Sequence, residues 1–222
     1  MEAKYRIGYI DEDVKQVKKY QRRFRNYGIE IIGYEFYKGM TLDELMHQVY
    51  ESDIDLLMID YKLNETNQVT FNGEVVESEF YDKKPLFPHI IFTNKVEQAE
   101  PHVEDWKIIF DKDDIFSEDD EDEKKVQHFI TTLFKSIEQY RNHVNKKKVI
   151  VTELLEKGEK EGLTASEKDL LISKQEELLA LDKSEKNEIP KHLLTEKKLD
   201  DLSKTKKDAE DFLQSLIDKR KK

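Results

Sequence analysis

One regularity limits the folds open to this chain more than any other. Across the first 115 residues, short apolar runs alternate with longer stretches whose apolar residues recur every three or four positions. The runs are Arg6–Ile10 (RIGYI), Glu30–Phe36 (EIIGYEF), Asp55–Ile59, His89–Phe92 and Lys107–Phe110, and each reads as a strand. Between the first two, Val14, Val17, Tyr20, Phe24 and Tyr27 mark a helix from Asp13 to Tyr27, with Gly28 as its stop. Thr41–Glu51 is a second helix, opened by a capping box of Thr41 and Glu44. Gly73–Tyr81 is a third, and a short stretch at 95–105 a fourth. Residues 61–72 read as a polar loop, and Lys83–Pro88 returns the chain through two prolines. Crossovers of this length join parallel strands, with helices on both faces of the sheet. The expected class is α/β, a five-stranded doubly wound parallel sheet.

The second half of the chain follows a different pattern. An acidic run, SEDDEDE at 117–123, precedes a helix striped by Val126, Phe129, Ile130, Leu133, Ile137 and Tyr140. Val144, Val151, Leu154 and Leu155 extend the stripe, with no breaker before Gly158 and Gly162, so the helix is expected to run out as a long shaft. Thr164 and Glu167 form another capping box, opening a helix to about Leu181. After Pro190, a last helix carries Leu199, Leu202, Phe212, Leu213, Leu216 and Ile217. Residues 1–142 are thus expected to form the α/β unit. Residues 143–222 form an all-helical hairpin or small bundle, with coiled-coil pairing into a homodimer as the rival arrangement.

Composition narrows the function classes. Charged residues, 39% of the chain, outnumber hydrophobic ones at 37%, too polar for one large globule and consistent with a core plus a solvated helical extension. The net charge of −11 falls almost wholly on residues 1–142. Only KKK at 146–148 and KRKK at 219–222 are locally basic, so nucleic acid is not the expected partner. The chain lacks cysteine, which excludes disulfides and thiolate metal sites. It has no apolar run long enough for a membrane span, and MEAKYRIGYI lacks the sections of a signal peptide. The expected location is the cytoplasm.

In open parallel sheets ligands bind beyond the carboxyl ends of the strands, which makes the residues there informative. Strand one ends in Asp11-Glu12-Asp13, strand three in Asp60 ("LLMIDYKL"), strand four in Thr93 and strand five near Lys112. Clustered carboxylates favour a hard cation such as Mg²⁺. A carboxylate beside one can act as a nucleophile toward phosphorus, while a hydroxyl and an ammonium hold phosphoryl oxygens.

The order of these residues resembles the receiver domain of two-component response regulators, over roughly residues 4–142. The resemblance implies a receiver, or flavodoxin-like, fold. It also implies that Asp11 and Glu12 in "GYIDED" hold Mg²⁺ with Asp60 and the backbone carbonyl of Lys62. Asp60 is then the phosphoacceptor, Thr93 in "IIFTN" the hydroxyl residue and Lys112 in "IIFDKDD" the lysine. A histidine kinase or phosphotransfer protein is the implied donor. Output through protein contacts of 143–222 is expected, with no turnover beyond self-dephosphorylation. Four places depart from the family pattern: Asn94 replaces a small residue, Asp113 follows the lysine in place of proline, Ile109 stands where an aromatic is usual with Phe110 one place off, and the loop after Asp60 is long.

Two other readings start from the same residues. A receiver-like scaffold for protein assembly would keep the acids without switching. A phosphatase of the haloacid-dehalogenase type would use Asp11 as nucleophile and Asp13 as acid/base, with Thr93 and Asp113-Asp114 as later motifs, but it leaves Asp60 without a role. His128 and His143 are expected at the surface, and Trp106 in packing at the start of strand five.

Overall fold

In the computed structural model, residues 3–117 and 123–183 are described. The expected final helix at 199–217 lies outside them. Five strands, β1 (Tyr5–Ile10), β2 (Ile29–Gly33), β3 (Leu56–Ile59), β4 (His89–Thr93) and β5 (Ile109–Asp111), form one parallel sheet in the order β2-β1-β3-β4-β5. This is the doubly wound, flavodoxin-like order. Every residue of β3 is buried, as a central strand covered on both faces must be.

Strand alternation sends side chains to two separate cores. On one face, Tyr5, Ile7 and Tyr9 of β1 meet α1 (Val14–Arg25) and α6 (Glu123–Lys160), through Val17, Tyr20, Phe24, Phe129 and Leu133. On the other, Leu57 and Ile59 of β3 and Ile91 of β4 meet α2 (Leu42–Glu51), α3 (Gly73–Lys83) and the single turn α4 (Val96–Ala99). The expected Thr41–Glu44 capping box opens α2.

Two strand boundaries differ from expectation. β2 ends at Gly33 and does not continue to Phe36. A Cβ on Gly33 would lie 2.6 Å from Val17 Cγ1, so α1 crosses close at that point. Tyr34 then turns inward, and its hydroxyl lies 2.9 Å from Ser52 Oγ. β5 begins at Ile109 because Asp105 caps a 3₁₀ turn over Trp106–Ile108, accepting a hydrogen bond from the Lys107 amide. Trp106 rides on that turn and is 67% exposed, so it is not the packing residue expected. His128 and His143 are exposed, as expected.

The shaft is one unbroken helix. α6 runs for 38 residues through position 142 without a break. Gly158 does not interrupt it; the Leu163 side chain lies over that glycine. Gly162, at φ +79°, turns the chain, and the Thr164–Glu167 box starts α7 (Ala165–Leu181) back along α6. Val151, Leu154, Leu171 and Leu178 form the buried seam, with Lys147–Glu177 and Lys157–Glu167 pairs alongside. The hairpin alternative therefore holds for α6 and α7. Its far end returns to the α/β unit: the Lys183 amide donates to the Lys83 carbonyl at 2.8 Å, and Lys84 Nζ lies 3.6 Å from Asp182 Oδ2. Among the described residues, no helix is long and apolar enough to cross a membrane.

Both charges of the Lys84–Asp182 pair are buried, so removing one takes a close counter-charge from the other. Asp182→Ala should lower unfolding free energy by about 3 kcal/mol in urea titrations of the full chain. An unchanged midpoint would mean the hairpin end is not fastened there.

Candidate functional site

Parallel strands finish on one rim, and register decides which residues meet there. Ile10 pairs with Ile59, so Asp11 and Asp60 leave adjacent strands at the same level. Thr93 pairs with Asp111, which places Lys112 one residue beyond the β4–β5 ladder.

Lys112 joins the two carboxylates. Its Nζ donates to Asp60 Oδ1 at 2.7 Å and to Asp11 Oδ2 at 3.1 Å, and all three residues are buried. The other carboxylate oxygens are held by backbone. Asp60 Oδ2 accepts from the Lys62 amide and Asp11 Oδ1 from the Asp13 amide, each at 2.9 Å. The Tyr9 hydroxyl donates to Asp11 Oδ2. The rings of Tyr9, Phe92 and Tyr20 stand around the ammonium, with centroids 5.4, 5.7 and 6.0 Å from Nζ. Burial alone would lower the Lys112 pKa, but Asp60 and Asp11 more than offset it and raise it. Burial also lifts the Asp60 carboxyl above its usual range, against the pull of Lys112.

Glu12 lines the same cavity, about 190 Å³ in volume, with Lys62, Glu65 and Asn94 at its walls. Burial pushes its pKa up to about 7, and the charges of Asp11, Asp60 and Glu65 add to that push. Six acidic side chains line the cavity against four lysines, which leaves a surplus of negative charge. The donors are hard oxygens, and a divalent cation of the Mg²⁺ type fits both their chemistry and their charge. Among the described residues, no three carboxylate or imidazole groups are already gathered in an ion-holding arrangement; the lysine stands between two of them.

Thr93 is fully buried, and its Oγ1 accepts from the Lys95 amide at 3.2 Å. It sits behind Asn94 and does not line the cavity. Asp13 caps α1, accepting from the Lys15 amide at 2.8 Å. The departure after Lys112 has a physical form: Lys112 opens a helical turn, α5 (Lys112–Ile115), which Asp111 caps by accepting from the Asp113 amide at 2.8 Å. The one-place offset of the aromatic puts it on the other face of the sheet. Phe110 packs on Phe129 beside α6, while Ile109 faces the opposite core.

Two contributors to the rim are not among the expected site residues. Tyr9, two places before Asp11, shares its side of β1; that spacing was the available signal. Gly73 lies at the end of the long loop, which is packed down by buried Leu63 and Val69. Its amide donates to the Tyr61 carbonyl at 2.7 Å, and a Cβ there would sit 2.3 Å from the Asp60 carbonyl oxygen. Only glycine lets α3 start against the backbone of Asp60.

No protein-family model matches the sequence, and no curated protein matches it. Solved structures do resemble the model. They include the response regulator TrrA from Thermotoga maritima in complex with Mg²⁺–BeF, with 16% identity, 58% of this chain and 98% of that chain covered, and a TM-score of 0.41. The non-phosphorylated HemR receiver domain from Leptospira biflexa gives 15% identity, 60% and 94% coverage, and a TM-score of 0.39. A signal receiver domain of an HD-domain-containing protein from Pseudomonas fluorescens gives 11% identity, 64% and 93% coverage, and a TM-score of 0.46. The fold is receiver-like, with a helical extension beyond it. The strand order is the flavodoxin-like one, which receiver domains share with other doubly wound proteins.

Two predictions follow from the packing and charge of this rim. The folded chain keeps a proton on Glu12 that the unfolded chain loses above its ordinary value of 4.5. Glu12 therefore makes stability fall as pH rises from about 4.5 to about 7, with no further change above. Chemical denaturation across that window should show a flatter profile in Glu12→Gln than in wild type; identical slopes would place the proton elsewhere. Gly73→Ala must push backbone apart and should cost about 2 kcal/mol, read from the urea midpoint. A neutral result would show that the loop gives way freely.

Proposed function

We propose that this protein is a receiver-type phosphoacceptor in signal transduction, with a unit at 1–142 that takes the phosphoryl group and a helical extension at 143–222 that contacts a protein effector. The observation that carries this reading is the shared ammonium: Asp11 and Asp60, 49 positions apart in the chain, both bond Lys112 Nζ on the strand-end rim.

Asp60 is the acceptor because its oxygens border the cavity and its position is held at both ends of the carboxylate. One Asp60 oxygen attacks the phosphorus of a phosphorylated histidine on a kinase or phosphotransfer protein. The new O–P bond forms as the P–N bond breaks, and the imidazole leaves with the electron pair. Asp11, Glu12, Asp60 and the Lys62 carbonyl would hold Mg²⁺, which when bound supplies positive charge to the carboxylates and to the phosphoryl oxygens. Lys112 keeps its proton throughout, since its neighbours raise its pKa, and offers that charge to the phosphoryl group once Asp60 is esterified. Thr93 Oγ1 accepts from the Lys95 amide and keeps its own O–H to donate to the phosphoryl group. Asp13 caps α1 and also lines the cavity, but the phosphatase reading gives Asp60 no role.

Incubation with acetyl phosphate and Mg²⁺, followed by intact-mass measurement, should add one phosphoryl group to the wild type. EDTA or Asp60→Asn should each abolish the gain. If the wild type stays unmodified, or Asp60→Asn is modified equally, the rim is a scaffold feature and the reading is wrong.

A further inference from the structure

Tyr9 is a buried phenol in contact with both charged partners of the rim, and the function proposed above leaves it without a role. Its hydroxyl donates to Asp11 Oδ2, and its ring centroid lies 5.4 Å from Lys112 Nζ. The residue is fully buried in the core beneath the sheet, edge-on to Tyr20 and Phe92. A phenol placed there only to fill space would need no hydroxyl, because a buried O–H costs free energy unless it is bonded. The bond it makes goes to one specific oxygen.

That choice has a chemical consequence. An ionised carboxylate offers about four acceptor positions, two on each oxygen. Asp11 Oδ2 has both of its positions taken, by Tyr9 and by Lys112. Oδ1 has one taken, by the Asp13 amide. The remaining acceptor position of Asp11 is therefore on Oδ1. Lys112 is shared with Asp60, whereas the Tyr9 hydroxyl bonds Asp11 alone and is carried by β1, whose last residue, Ile10, immediately precedes Asp11.

We propose that Tyr9 is a positioning residue: its hydroxyl pins Asp11 Oδ2 and so presents Oδ1 as the single ion-facing oxygen of that carboxylate toward Mg²⁺. The inference deepens the phosphoacceptor reading and rests on it, since it assumes that Asp11 holds the ion. Donors behind a metal ligand fix its orientation, and their loss typically weakens metal affinity about 10- to 100-fold.

Tyr9→Phe isolates the hydroxyl, because the ring that packs on Lys112 and Phe92 remains. The test is calorimetric titration of the full chain with MgCl₂, paired with thermal melts in EDTA. Tyr9→Phe should bind Mg²⁺ about tenfold more weakly, while its melting temperature in EDTA falls by no more than about 4 °C. Equal or tighter Mg²⁺ binding by Tyr9→Phe overturns the inference and leaves the phosphoacceptor reading standing. A Tyr9→Phe chain that does not fold also overturns it, since the hydroxyl would then be structural. A wild type that binds no Mg²⁺ at millimolar concentration overturns both.

Discussion

The arrangement at the strand ends depends on one ammonium. Lys112 Nζ is buried between Asp60 and Asp11 and within reach of three aromatic rings. Such a cluster is a poor source of stability. Desolvating two carboxylates and an ammonium costs several kcal/mol per ion, and apolar replacements of similar volume often do as well or better. Its value lies in constraint. With one lysine bonded to the ends of β1 and β3 from the end of β5, the three strands must finish in register. Any slip by one residue would turn these side chains to the wrong face. The fold and the site thus determine each other at this point. The strand order brings the residues to one rim, and the bridge holds the rim to a single geometry.

The rim is also overcharged. Asp11 and Asp60 share Lys112, and Glu12 lines the same cavity, its carboxyl pushed up to about 7 chiefly by burial and further by the charges of Asp11, Asp60 and Glu65. A structural ion pair would balance its charges. This site does not, and perturbed carboxyls in a cleft are characteristic of groups with a chemical task. Hard oxygen donors and surplus negative charge are what a divalent cation or a proton would answer.

How much of this was legible in the sequence differs by feature. Helix periodicity and the two Thr–Glu capping boxes placed α1, α2, α6 and α7 within a few residues, because both signals are local. The site residues were legible because the parallel topology sends consecutive strand ends to one side; Asp11, Asp60 and Lys112 needed only that rule. What the sequence concealed were contacts between distant parts. Gly33 leaves room for Val17 of α1, and Gly73 is required because α3 starts against the Asp60 carbonyl. Nothing local distinguishes those glycines from ordinary loop residues. Trp106 looked like core by composition, yet a single cap by Asp105 lifts it onto an exposed turn. The hairpin's closure onto Lys83 and Lys84 depends on the full length of α6 and α7, which no window of sequence contains.

That closure gives the architecture its last physical link. α3 is the element that touches both ends of the story. Its first residue, Gly73, lies against the Asp60 backbone, while the residues at its far end, Lys83 and Lys84, hold Lys183 and Asp182 at the end of the hairpin. A helix of 11 residues resists bending, so displacement of its first turn and of its last are mechanically related. Contiguity of this kind is not coupling in itself; coupling requires two arrangements whose balance both ends can bias. The Asp60 carbonyl, 2.3 Å from where a Cβ on Gly73 would stand, defines how the first turn of α3 is seated, and the buried Lys84–Asp182 pair lies at its other end.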